Sequence, residues 1–168
     1  MPKIIAKKGI KIMPEYITKE GMQRIRKRMQ ELIEERPHIM KQVVTAREMG
    51  DLSENAEYHA AREKQRNLEN EYNYLKSRVA KLQVIDTDKI SKDAVRFGAF
   101  VTIKEIATGN ILKKRIVGVD EIFETNDGYE RISLASPIGK AMIGKKVGDH
   151  FVVKAPIGDR EFEILEIK

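Results

Sequence analysis

Apolar residues fall at Met22, Ile25, Met29, Leu32, Ile39, Val43 and Ala46. The steps alternate between three and four, with Arg36 filling the one seam slot that lacks an apolar side chain. That spacing is a heptad seam on a long helix. Thr18 is placed as its N-cap, with Glu20 in the first turn. Pro37 lies inside the run. It removes one backbone hydrogen bond, so a kink is expected rather than an end, because the register resumes after it. A second stripe follows at Tyr58, Ala61, Leu68, Tyr72, Leu75, Val79 and Leu82, with Gln65 in one slot. Each stripe is too narrow to be buried alone. Joined by a few residues around Gly50, the two predict an antiparallel coiled-coil hairpin. Residues 19–49 would make a rod of roughly 45 Å, and Ala46 and Ala61 let the helices approach closely near its turn.

The period then changes. "AFVTIKEIATGNILKKRIVGVDEI" alternates around an "ATGN" turn, and "NDG" at 126–128 is a second hairpin signal. "GDHFVVKAPIGDREFEILEIK" reads as strand, turn and final strand. "SPIGKAMIGKKVGD" reads as a short helix that opens at Ser136-Pro137 and closes at Gly144. The expected class is α+β, a helical hairpin followed by a twisted antiparallel sheet with one short helix. The expected organisation is an extension at 1–12, a finger at 13–85, a polar linker at 86–93 and a sheet domain at 94–168.

Composition narrows the chemistry. The chain has no cysteine, which excludes disulfides and Cys-based zinc sites. Lys7, Lys8 and Lys11 break the N-terminal apolar residues into short pieces. A signal peptide needs an apolar run of about 7–15 residues and a membrane helix about 20. A cytoplasmic protein with no membrane partner is therefore expected. The 168 residues carry a net charge of +6. All of it lies in residues 1–85, with 18 Lys and Arg against 12 Asp and Glu. That surplus permits weak attraction to a polyanion, although a solvated helical surface is the plainer explanation of the charge alone. No Gly-rich loop follows a strand, so nucleotide binding has no support in the sequence.

Against this basic background, "EMGDLSENAEYHA" at 48–60 holds Glu48, Asp51, Glu54 and Glu57 and no Lys or Arg. Asp51-x-x-Glu54 fits a capping box for the second helix, with Ser53 as a rival N-cap. Other features point elsewhere. Glu48 sits at the C-terminal end of the first helix, where an acid is unfavourable. The acids also stand at the far end of a rod, away from any core. Two carboxylates are too few to hold Mg²⁺ in its six-oxygen shell. With a partner supplying the remaining ligands, one could complete the metal shell while the other orients or deprotonates a water.

"RPHIMKQVVTAREMGDLSENAEYHAAREKQ" and "SPIGKAMIGKKVGD" closely resemble the Gre family of bacterial transcription elongation factors. The likeness runs over about residues 13–168, and residues 1–12 fall outside it. It implies a coiled-coil finger and an FKBP-like C-terminal domain. It implies that RNA polymerase is the partner, with the C-terminal domain docked at the mouth of its secondary channel. The finger would then reach the catalytic centre and stimulate cleavage of the nascent RNA 3′ end in a backtracked complex. By the same resemblance Asp51 and Glu54 match the tip acids that help hold a second Mg²⁺, shared with the polymerase site and not held by the free protein. They also match the acids that position the attacking water. The factor would be a cofactor of the polymerase's own activity rather than an enzyme. The Asp-Leu-Ser-Glu-Asn tip favours the cleavage-promoting branch, and "SPIGKA" leans toward GreA-type members.

Arg47, Arg62, Lys64 and Arg66 lie nearest the tip and are candidates for touching extruded RNA; coiled-coil flanks also carry such residues for solvation and ion pairs. Ser136 and Pro137 start a helix and, by resemblance, form a polymerase-docking loop. Tyr58 and Tyr72 are read as seam packing, the methionines of the first helix likewise, and His59 as an exposed flank residue. Two alternatives share features of this chain. One is a channel-blocking polymerase inhibitor of the same fold. The other is a prolyl isomerase or chaperone, against which the aromatics of the second half stand singly along candidate strands.

Overall fold

A computed structural model describes residues 14–51, 54–123 and 126–168. The extension expected at 1–12 and the rival cap Ser53 lie outside these residues. Strand β1 (Glu15–Thr18) runs into helix α1 (Lys19–Arg47), and α2 (Ala56–Lys81) returns to strand β2 (Leu82–Ile85). The 29 residues of α1 make a rod of about 43 Å. Thr18 caps it, its hydroxyl accepting from the Gly21 N–H at 3.0 Å. The helix passes through Pro37 without ending.

The heptad reading describes the packing. Met22, Ile25, Leu32, Ile39, Val43 and Ala46 of α1 are buried, facing Ala61 and Leu68 of α2. Tyr72, Leu75 and Val79 pack against the same clusters, half-buried. The polar seam slot is used rather than wasted. Arg36 lies over the Tyr72 ring, 5.2 Å from its centroid. It donates to both carboxylate oxygens of Glu69, at 2.7 and 3.1 Å. Arg28 grips Glu71 on the neighbouring helix in the same two-pronged way. Such planar forks fix the relative height of the two helices more strictly than apolar contact does.

The second half is a curled sheet. Its strands are β3 (Phe100–Glu105), β4 (Ile111–Val117), β5 (Glu130–Ser133), β6 (His150–Ala155) and β7 (Gly158–Ile167). Their order is β5-β4-β3-β7-β6. Three pairings are antiparallel as expected, but β5 runs parallel to β4. The turn at Asn126-Asp127-Gly128 therefore belongs to a crossover and not to a hairpin. A register shift between Thr102 and Ile103 marks an irregularity in the β3–β7 ladder, of the kind that bends a sheet. Helix α3 (Pro137–Met142) touches both edge strands, β5 and β6. It closes a core of Val101, Ile103, Ile116, Met142, Phe162 and Ile164.

The parallel pairing of β1 with β2 closes the base of the finger and was not expected. Nor was the junction beside it. Glu121, only 1% exposed, lies in a short 3-10 turn (Val119–Glu121) after β4. It accepts the Thr18 N–H at 3.0 Å, the Thr18 hydroxyl, and the Gly118 N–H at 3.3 Å. A carboxylate thus sits at the positive end of α1. A Cβ at Gly21 would fall 2.2 Å from Glu121 Oε1, so only glycine admits it. Next to it, Arg78 of α2 bridges Asp120, with bonds of 2.8 Å, and Glu15. These contacts tie the root of the rod to the sheet.

Candidate functional site

The far end of the finger is built by one asparagine. Helix α1 ends with Glu48 as its C-cap, and the chain reverses through Gly50 at φ +138°, a conformation that favours glycine. Helix α2 then starts at Ala56 with Asn55 as N-cap. Asn55 Oδ1 accepts the Tyr58 N–H at 2.9 Å, while its Nδ2 donates to the Ala46 carbonyl of α1 at 2.6 Å. One side chain therefore caps the second helix and fastens it to the end of the first. The capping box drawn from Asp51 and Glu54 is not how α2 begins, because Asn55 occupies the cap. Both acids precede the helix and are exposed, as are Glu48 and Glu57. Among the described residues no group of three or more metal-ligating side chains converges.

Asn55 escaped the sequence reading, although asparagine is among the best N-caps. Replacing it with alanine should cost about 1 kcal/mol of cap stability. Amide exchange at Tyr58 is then expected to rise about fivefold while Leu68, in mid-rod, is unchanged. Equal protection of Tyr58 in both proteins would remove this role from Asn55.

The basic candidates do not form a single cluster. Arg47 is exposed and its guanidinium lies 6.0 Å from the centroid of the Tyr58 ring. Arg62, one turn beyond Tyr58, is half-buried and donates to Gln65 at 2.6 Å. Arg66 follows on the same helical face. Lys64 projects to the other flank, where it shares a groove with His38, Lys41 and Gln42. His59 is exposed beside Tyr58, the rings 5.6 Å apart.

In the sheet domain, Ser136 does what its position suggests. Its hydroxyl accepts the Gly139 N–H at 3.1 Å and donates to the Ser133 carbonyl at 2.7 Å. Pro137 follows at the first helical position and is exposed. The turn is thus rigid and presented to solvent. His150 pairs across the β6–β7 ladder with Glu161, at 2.8 Å.

Fold and tip together define a protein that presents carboxylates at the end of a helical finger rooted in an α+β sheet domain. Known proteins are similar in sequence along nearly the whole chain. Residues 15–84 match the family "Transcription elongation factor, N-terminal", and residues 90–168 match "Transcription elongation factor, GreA/GreB, C-term". The chain belongs to the GreA/GreB family of transcription elongation factors. It is 43% identical to the transcription elongation factor GreA of Thermodesulfovibrio yellowstonii, over 90% of this chain and 94% of that protein. It is 44% identical to that of Solidesulfovibrio magneticus, over 90% of each. Among solved structures, the GreA factor homolog 1 of Thermus thermophilus aligns with a TM-score of 0.42 at 24% identity, covering 93% of this chain and 99% of that one. Among the described residues no helix is long and apolar enough to cross a membrane.

Proposed function

We propose that this factor inserts its finger into the secondary channel of RNA polymerase and stimulates the polymerase's own cleavage of backtracked RNA. The carrying observation is that Asp51 and Glu54 stand exposed at the tip, ahead of a helix that Asn55 already caps. Both precede Ala56, the first residue of α2, and neither is its N-cap. Membership of an elongation-factor family supports the same reading.

In this reading the chain acts in the cytoplasm and is not itself an enzyme. A divalent ion such as Mg²⁺, when bound, supplies Lewis-acid chemistry at the phosphodiester. The tip fits such an ion only as a partial donor set, since six oxygens are needed and two carboxylates are offered. Of Asp51 and Glu54, one would complete the oxygen shell of such an ion while the other would orient or deprotonate the attacking water. The seam and its Arg forks hold the rod straight enough to deliver these groups. Arg47, Arg62 and Arg66, on one flank, and Lys64 on the other, are proposed to meet the extruded RNA. The rigid Ser136-Pro137 turn is proposed to contact the polymerase.

The test is transcript cleavage in stalled, backtracked elongation complexes with Mg²⁺, run beside the same RNA without polymerase. Rapid shortening of the transcript is expected only in the complex. Cleavage of free RNA at a similar rate would overturn the reading.

A further inference from the structure

Three charged residues are buried among the described residues: Glu105, Glu121 and Arg115. Two are neutralised within the chain. Glu105 meets Arg160 at 2.7 Å and the Thr108 hydroxyl at 2.7 Å. Glu121 has Thr18 and, at 3.7 Å, Arg24. Arg115 on β4, 9% exposed, has no described carboxylate within ion-pairing distance. Its Nε donates to the Gly98 carbonyl at 3.3 Å, and its guanidinium lies 4.5 Å from the centroid of the Phe100 ring. That leaves the Nη edge of the fork, four N–H donors, without a protein acceptor.

The open edge is not sealed in. Among the described residues every side-chain nitrogen or oxygen fully cut off from solvent has a partner. The Nη groups must therefore reach a cavity, and Arg115 lines one of about 180 Å³. It lies where the root of α1, the segment after β2 and the sheet meet. Lys92, Arg96 and Lys168 line it with Arg115, as do the acids Glu20 and Asp88. Arg96 is drawn toward Asp93 at 3.2 Å and Lys168 toward Glu166 at 3.3 Å.

A largely buried guanidinium whose Nη donors open only onto the cavity keeps them available to an anion there. Burial disfavours its charge, and so does Arg131, its neighbour in register on β5; Glu20, Glu121 and Asp127 offset this only in part. Phe100 holds the plane of the fork, so the donors are aimed in advance. A planar fork with ammonium groups around it suits a multiply charged, several-oxygen anion better than a carboxylate. We infer that this cavity is a binding site for a phosphate-class oxyanion, seated on the open Nη edge of Arg115 with Lys92 and Lys168 over it. The volume admits a phosphate or diphosphate group, and anything attached to it would lie outside. The source is either free phosphate or diphosphate, or the phosphate end of a nucleotide. This site is separate from the finger tip and does not rest on the cleavage reading. A ligand here would brace the rod's root against the sheet.

The test is a titration of the isotope-labelled full chain with inorganic phosphate, pyrophosphate and ATP at fixed ionic strength, followed by NMR at Arg115 Nε and the Gly98 and Phe100 amides. Saturable shifts at these groups are expected. Arg115→Gln should weaken binding about tenfold or more. Lys92→Ser, at an exposed position, should weaken it several-fold without touching the fold. Equal affinity for pyrophosphate and ATP identifies the phosphate group alone as the ligand, and tighter ATP binding identifies a nucleotide. Non-saturating shifts spread over surface lysines would overturn the site. So would unchanged binding in Lys92→Ser together with unchanged binding in folded Arg115→Gln. If Arg115→Gln does not fold, the Lys92→Ser result decides alone.

Discussion

Asp51→Ala/Glu54→Ala is expected to lose stimulated transcript cleavage by about 10²-fold or more while still binding polymerase. Both halves of this expectation come from the tip geometry. On the proposed reading the activity falls because the two acids would serve as oxygen donor and proton acceptor at the polymerase's metal site. Binding is expected to survive because Asn55, and neither acid, caps α2 and fastens it to Ala46. Circular dichroism should show the helix content unchanged. The single changes should each cost nearly as much as the double, since groups that act as a unit do not add. Mg²⁺ dependence separates their roles. If Asp51 completes a metal shell, Asp51→Asn should shift half-maximal cleavage to higher Mg²⁺, whereas Glu54→Gln should lower the plateau. A double variant that cuts as fast as the native chain would remove the acids from the chemistry. A native chain that only blocks RNA synthesis, with or without its acids, would be the channel-plugging inhibitor instead.

That the acids could be singled out at all reflects what periodicity carries. Heptad spacing fixed both helices, and every seam residue from Met22 to Ala46 is buried or half-buried. Arg36 broke the pattern in sequence yet fits it in space, because an adjacent aromatic face and Glu69 receive it. The cap was less legible. Asp51, Ser53 and Asn55 are all good N-cap residues, and local sequence cannot choose among them. The choice is made by the Ala46 carbonyl on the other helix, a contact nine residues away in the chain. Strand direction was also hidden. Alternation says that Glu130–Ser133 is a strand and nothing about whether it runs with β4 or against it.

Least legible were the buried charges. "GVDEI" reads only as the end of an alternating run, and Glu is rarely buried unless paired. Glu121 is buried because the start of α1, a hundred residues earlier, offers it donors. Arg115 sits in an alternating strand with two lysines before it, and only the sheet and the segment after β2 show that it faces a cavity. Pattern reports which face is inside. It does not report which polar group another element will receive.

Glu121→Ala should be the most damaging substitution to the fold, costing about 3–5 kcal/mol. The carboxylate is surrounded by donors only: the Thr18 N–H and hydroxyl, the Gly118 N–H and, more distantly, Arg24. Removing it orphans those donors in a place where Thr18 is wholly buried. Glu121→Gln is nearly isosteric and should still cost about 1–3 kcal/mol. Its amide NH₂ must turn toward one of those donors, which a carboxylate never does. Gly21→Ala should imitate the loss from the opposite side, because its Cβ would occupy the place of Oε1. Urea unfolding measures all three. Amide exchange then locates the damage: β1, the first turn of α1 and the turn at Val119–Glu121 should lose protection together, while Leu32 and Leu68 in mid-rod keep theirs. Transcript cleavage should fall even though the tip is chemically intact, since a rod with a loose root no longer delivers its acids to a fixed point. Glu121→Ala with native stability and native exchange would mean that the junction is held by Arg78 and the β1–β2 pair alone.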